Sequence, residues 1–188
     1  SYSNSCIISV FSKANNWRPS FRITKRIKKK SLFISVFWDG HDPFETSEFI
    51  LEQIKISPIE SKIVPDLDVM TDLEYLNLFD VILPVWTMGQ IDDNNWEIKN
   101  SKSGNLQEAV HSGVGLAGWH GGMTDAFRDN TNYQFLVGSQ FVCHPGDFVD
   151  YEVNLIDKDH EIVDGIDNFK VFSEQYFLHI DPSINIIS

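Results

Sequence analysis

Residues 31–41 read Ser31-Leu32-Phe33-Ile34-Ser35-Val36-Phe37-Trp38-Asp39-Gly40-His41. A nearly continuous apolar run follows a lysine cluster and breaks into turn chemistry. A strand that is apolar on both sides of its pleat is buried on both faces, the habit of parallel sheets covered by helices. The next residues, Asp42-Pro43, continue the turn. The same alternation runs downstream. Thr46 or Ser47 can cap a helix that carries Phe49, Ile50 and Ile54 at helical spacing. Lys62-Ile63-Val64 reads as a short second strand, and Thr71 with Glu74 three residues later is the capping-box pattern of a short helix. Phe79-Asp80-Val81-Ile82-Leu83-Pro84-Val85-Trp86 is a third strand. Residues 103–112 predict a helix with Leu106 and Val110 on one face and Gly113 at its stop. Val114-Gly115-Leu116-Ala117-Gly118-Trp119 is a fourth strand, running into His120-Gly121-Gly122. A short helix through Tyr133 and Leu136, strand-like runs at 149–156 and 169–172, and a last strand at 176–180 follow. Strands alternating with helices predict right-handed crossovers and a three-layer α/β sandwich on a mostly parallel sheet.

With 188 residues, 42% hydrophobic and 22% charged, the chain has a globular composition. A domain of this size buries about 70% of its unfolded surface. No stretch reaches the ~18 consecutive apolar residues of a membrane helix. Cys6 and Cys143 are too few for a disulfide framework. A net charge of −12 argues against a nucleic-acid binder, which needs a basic face. That average conceals a division. Residues 1–30 hold eight Lys or Arg and no Asp or Glu, whereas residues 31–188 hold seven basic and all 27 acidic residues. Two organisational units are therefore expected: a basic, disordered N-terminal extension over 1–30 and a folded domain over 31–188. The extension also fits a basic arm or an organelle transit peptide. A cytoplasmic location is expected, with the transit peptide as the alternative.

Ligands of open parallel sheets bind at the carboxyl ends of the strands. Three strand ends carry polar or unusual residues: Asp39-Gly40-His41, Trp86-Thr87-Met88-Gly89-Gln90 and His120-Gly121-Gly122. The stretch Gly118-Trp119-His120-Gly121-Gly122 has the glycine spacing of a strand-to-helix elbow, with histidine in the nucleophile's place. At such a position His120 acts as base, acid or metal ligand, or is a plain turn residue. It cannot do the thiolate chemistry of an amidotransferase. His144 in the loop Cys143-His144-Pro145-Gly146 is placed to join it. Two or three histidines with a carboxylate suit a divalent ion such as zinc, so His41, His120 and His144 are the metal candidates, although their spacing matches no short signature. Glu174 and Tyr176 fit sugar hydroxyls, the fixing of a histidine tautomer, or an edge-strand surface pair. Trp38, Trp86 and Trp119 fit an apolar floor for a sugar ring and core packing equally.

Taken together, Asp39-Gly40-His41, Leu83-Pro84-Val85-Trp86-Thr87-Met88-Gly89, the run 113–146, and Ser173-Glu174-Gln175-Tyr176 with His179-Ile180-Asp181-Pro182 resemble the ThuA-like family of trehalose-utilisation proteins. The resemblance covers 31–188. It implies a flavodoxin-like fold similar to class I glutamine amidotransferases, in a branch without the nucleophilic cysteine. It also implies action on, or binding of, a sugar-derived small molecule. His120 and Glu174 become the catalytic candidates. Asp39, His41, Trp86, Met88, Trp119, Gly121, Gly122, Asp125, His144 and Tyr176 become the substrate-binding ones. The expected partner is a sugar ligand, not nucleic acid or a membrane, and a homo-oligomer is admitted. The alternative is a non-catalytic sugar-binding or regulatory module on the same fold. Three departures stand out. Residues 1–30 have no counterpart in the family. Trp119 occupies a place that is often small or Cys. The sequence stops at Ser188, where members continue with a strand, a Met-Pro-Val-x-Trp-like segment and a Gly-rich hairpin, so a C-terminally truncated domain is expected.

Overall fold

A computed structural model describes residues 8–10, 28–35, 39–55, 58–92, 98–120 and 122–188. Among them, nine strands and four α-helices follow in order: β1 (Ile8–Val10), β2 (Lys29–Ser35), α1 (Pro43–Ile54), β3 (Ile59–Val64), α2 (Leu73–Leu76), β4 (Val81–Val85), α3 (Lys102–His111), β5 (Gly115–Trp119), α4 (Thr131–Val137), β6 (Ser139–Cys143), β7 (Val149–Val153), β8 (Phe169–Ser173) and β9 (Phe177–Ile180). The main sheet runs β1-β5-β4-β2-β3. The four strands β3, β2, β4 and β5 are parallel, and β1 pairs antiparallel with β5 at the edge. Counting from β2, the parallel order is 2-1-3-4, the flavodoxin-like winding, whose switch point falls between the ends of β2 and β4.

Residues 31–35 are all buried. Their alternation splits the core in two. Leu32 and Ile34 join Ile82 and Leu116 under Leu67, Met70, Leu76, Leu106 and Ala109. Phe33, Leu83 and Val85 face the other way, against Ile50, Leu51 and Ile54 of α1. These are the three layers expected from the apolar run.

Several local expectations shift. Strand β2 starts at Lys29, so the folded unit begins before residue 31; Lys30 N–H donates to Asp80 Oδ2 at 2.8 Å. Ile8–Val10 of the basic extension forms a strand where the sequence reading expects disorder. Helix α1 begins at Pro43, whose fixed φ suits a first helical turn, so neither Thr46 nor Ser47 is its cap. Ser47 is instead buried and donates to Pro43 O at 2.7 Å, tying the helix to Ser35. The short helix is capped by Asp72, which accepts from Tyr75 N–H at 3.0 Å; Thr71 closes a preceding 3-10 turn. Gly122 lies in a tight turn, with Met123 N–H donating to Trp119 O and Ala126 N–H to Gly122 O, and the short helix expected through Tyr133 and Leu136 follows as α4. The segment 139–143 is a strand, unread in the sequence, and the C-terminal strands form two antiparallel pairs, β6 with β9 and β7 with β8.

Candidate functional site

The loops leaving β2, β4 and β5 converge at the switch point. His41 closes the 3-10 turn Asp39–His41, and its Nδ1 lies 2.8 Å from Thr87 Oγ1, directly after β4. This hydrogen bond bridges the two strand ends. The β4 loop is in turn fastened to the β5 loop. Met88 N–H donates to Asp125 O at 2.8 Å, and Phe127 N–H donates to Met88 O at 3.0 Å. Met88 and Phe127 both hold positive φ, at 56° and 49°, as does Asp42 at 44°. Left-handed backbone in bulky residues costs energy and persists where surrounding contacts fix it, most often at working sites.

His120 stands at the end of β5, in the middle of an aromatic cluster. Its ring centroid is 5.9 Å from that of His41, 5.5 Å from His144, 4.2 Å from Tyr176 and 4.5 Å from Phe141. Three separated stretches of chain thus meet on one imidazole. Its Nδ1 is buried and has no hydrogen-bond partner among the described residues. Burial, followed by the charges of His41, His144 and Arg128, pushes the pKa of His120 down to about 3. The ring is therefore neutral near pH 7.

His144 lies just past β6, and its Nδ1 is 2.8 Å from Gln175 O. A carbonyl only accepts, so Nδ1 carries the proton and Nε2 is left toward Glu174, whose Oε2 is 3.8 Å away. Tyr151 Oη donates to Glu174 O at 3.1 Å and steadies that corner. Burial and the neighbouring Glu174 and Tyr151 push the Tyr176 hydroxyl up to about 12, so it remains a donor at neutral pH.

The structure thus gathers His41, His120, His144, Glu174 and Tyr176. Asp39 opens the 3-10 turn, with its side chain outside the described part; Gly121 and Trp38 lie outside the described residues. Gly122 supports the rim by backbone proximity, because a Cβ there would sit 2.6 Å from Pro84 O. Met88 contributes through its backbone link to residues 125–127. Trp86 is 7% exposed in the core against Phe127, and Trp119 packs with Leu83 and Val85. Asp125 is buried and engaged by Arg128. Among the described residues no three His, Cys, Asp or Glu side chains are gathered so as to hold a metal ion. Arg128 and Phe141 are not among the sequence candidates, and Thr87 enters only as part of the strand end Trp86–Gln90. Arg128 is the only arginine in 31–188, which is the signal that points to it.

Comparison with known proteins bears on this arrangement. The ThuA family pattern, described as trehalose utilisation, matches residues 31–188. The chain belongs to the ThuA family. Among solved structures, a ThuA-like protein from Bacteroides uniformis superposes with a TM-score of 0.58 at 15% identity, over 86% of this chain and 64% of its own. This ThuA chain therefore shares that fold and spans about two thirds of the relative's length. No protein with a curated description matches. No helix among the described residues is long and apolar enough to cross a membrane.

Proposed function

We propose that this ThuA domain binds and acts on a sugar-derived small molecule at the rim formed by His41, Thr87, His120, His144, Glu174 and Tyr176. The observation that carries the reading is the Nδ1 of His120, buried at the centre of that cluster and without a partner among the described residues. An orphaned buried polar atom costs about 1–3 kcal/mol, and a polyol offers hydroxyls that both donate and accept. The trehalose-utilisation description of the family agrees. With its proton affinity so reduced, His120 serves as a neutral hydrogen-bonding group. His144, whose Nε2 faces Glu174 Oε2 across 3.8 Å, is the acid–base candidate of the cluster on that geometry. The hydroxyl of Tyr176 is a donor to sugar oxygens.

A binding module without turnover is the second reading. It is favoured by the low basicity of His120, which makes that ring a poor general base at neutral pH. Calorimetric titration and turnover assays with trehalose, other disaccharides and their 3-keto derivatives separate the two. His120→Ala is expected to lose at least tenfold in affinity or rate, about 1.4 kcal/mol. His111→Ala, exposed on α3, is expected to match the wild type. Equal binding by His120→Ala and the wild type would reject the site; binding without turnover would select the module.

A further inference from the structure

Arg128 is the only arginine of residues 31–188, in a segment with a net charge of −20. It stands at the edge of the histidine cluster and is firmly built in. Its Nε–H donates to Asp125 Oδ1 at 2.6 Å, and its Nη2 approaches the same oxygen. Asp125 is 3% exposed, whereas the Arg128 side chain is 38% exposed. The guanidinium carbon lies 5.4 Å from the ring centre of Phe141, which itself stacks near His120 and His144 at 4.5 and 5.0 Å.

This arrangement uses only part of the guanidinium. Five N–H groups radiate from it, and Asp125 takes the Nε–Nη2 edge on one oxygen. No hydrogen bond or ion pair to Nη1 is found among the described residues, and the side chain as a whole is partly exposed. A planar edge with two parallel donors matches the two oxygens of a carboxylate or phosphate. The fork is held on one side by a buried carboxylate and on its face by an aromatic ring, so little freedom remains to be lost on binding.

Building on the sugar-site reading, we infer that Arg128 recognises an anionic group, a carboxylate or a phosphate, carried by the ligand. The substrate class is then an acidic sugar derivative and not a neutral disaccharide. The charge of Arg128 is also felt within the cluster, where it is among the neighbours that disfavour a proton on His120. A purely structural clasp of the 125–128 turn would need the ion pair alone, and a lysine would supply it.

The test titrates glucose, gluconate and glucose 6-phosphate into the full chain, its Arg128→Lys and Arg128→Gln variants, with melting temperatures recorded for each. Gluconate or glucose 6-phosphate should bind the wild type at least tenfold more tightly than glucose, and whichever does identifies the anion. Both variants should lose that margin while keeping the affinity for glucose. Equal binding of the three sugars, or a margin retained in Arg128→Gln, would overturn the inference and leave the sugar site standing. Should the variants fail to fold, phenylglyoxal modification of the wild type, read at the Arg128 peptide by mass spectrometry, decides instead. Inorganic phosphate should slow it, and no protection overturns the inference. Protection by phosphate with none of the three sugars binding would reject the sugar reading alone.

Discussion

His120 illustrates how a single side chain changes meaning with its surroundings. A histidine after a strand and before two glycines is a natural acid–base candidate, and its position was readable from the sequence. What the ring can do was not readable, because it depends on partners brought in from residues 41, 141, 144 and 176. Burial and nearby positive charge disfavour the imidazolium, so the folded chain takes up this proton only near pH 3, whereas the unfolded chain takes it up near 6.5. Between these values the unfolded state binds more protons, and stability must fall as the pH falls. The His120 contribution is complete above about pH 6.5 and is lost progressively down to about 3. Urea unfolding of the wild type and His120→Gln at pH 7.5 and 5.0 should show the wild type losing more over that interval. The difference should be roughly 1 kcal/mol, reduced from the full linkage value because the ring is partly solvated. Parallel losses in the two proteins would show that the ring is freely protonated.

At the scale of elements, strands were more legible than their ends. The apolar run at β2 announced burial on both faces, and burial is what the sheet provides. Helix starts are less legible, because Pro43 and Asp72 take the places that Thr46, Ser47 and Thr71 also fit. Strand β6 was missed, since Ser139-Gln140-Phe141-Val142-Cys143 has little alternation and owes its conformation to pairing with β9. The elbow glycines were recognised, but their physical role emerges only from the packing. Gly122 lies so close to β4 that a Cβ would meet Pro84 O at 2.6 Å and Val85 Cα at 3.3 Å, both backbone atoms that cannot swing aside. Gly122→Ala is expected to push the turn away from the strand end, destabilising by about 1–3 kcal/mol and displacing His120 from its neighbours. Gly146, with nothing within 4 Å of an added Cβ, provides the control. Gly146→Ala should stay within about 0.5 kcal/mol of the wild type. The urea midpoints of the two variants, together with sugar titrations, check both. A Gly122→Ala protein as stable as the wild type would mean that the turn has room to relax.

For the whole molecule, the question is how far the site depends on the chain outside the parallel sheet. Strand β5 pairs with β4 only at Val81–Gly115 and Ile82–Leu116. Its second half, Ala117, Gly118 and Trp119, is registered instead against Val10, Ser9 and Ile8 of β1. The three residues leading to His120 are therefore pinned from the N-terminal segment. The charge division alone argues that this segment is separable, and its overall basic composition conceals the short apolar run Cys6-Ile7-Ile8-Ser9-Val10-Phe11, a strand signal that names no pairing partner. Deleting residues 1–27 leaves β2 intact from Lys29, together with the links from Lys29 and Lys30 to Asp80. The fold should survive, since the described members of the core under α2 and α3 and of the core under α1 all remain. The melting temperature should fall by a few degrees, the size of effect expected from about 1 kcal/mol in a domain of this length. Locally the change should be larger. Amide hydrogen exchange at Ala117–Trp119 should accelerate, while residues 32–34 remain protected, because a frayed edge opens below the free energy of global unfolding. Sugar affinity should drop with it, since His120 would follow three residues left without their registered partner strand. Unchanged exchange at 117–119 would show that β4 alone suffices to hold the rim, and global unfolding on deletion would show that the first strand is integral to the domain.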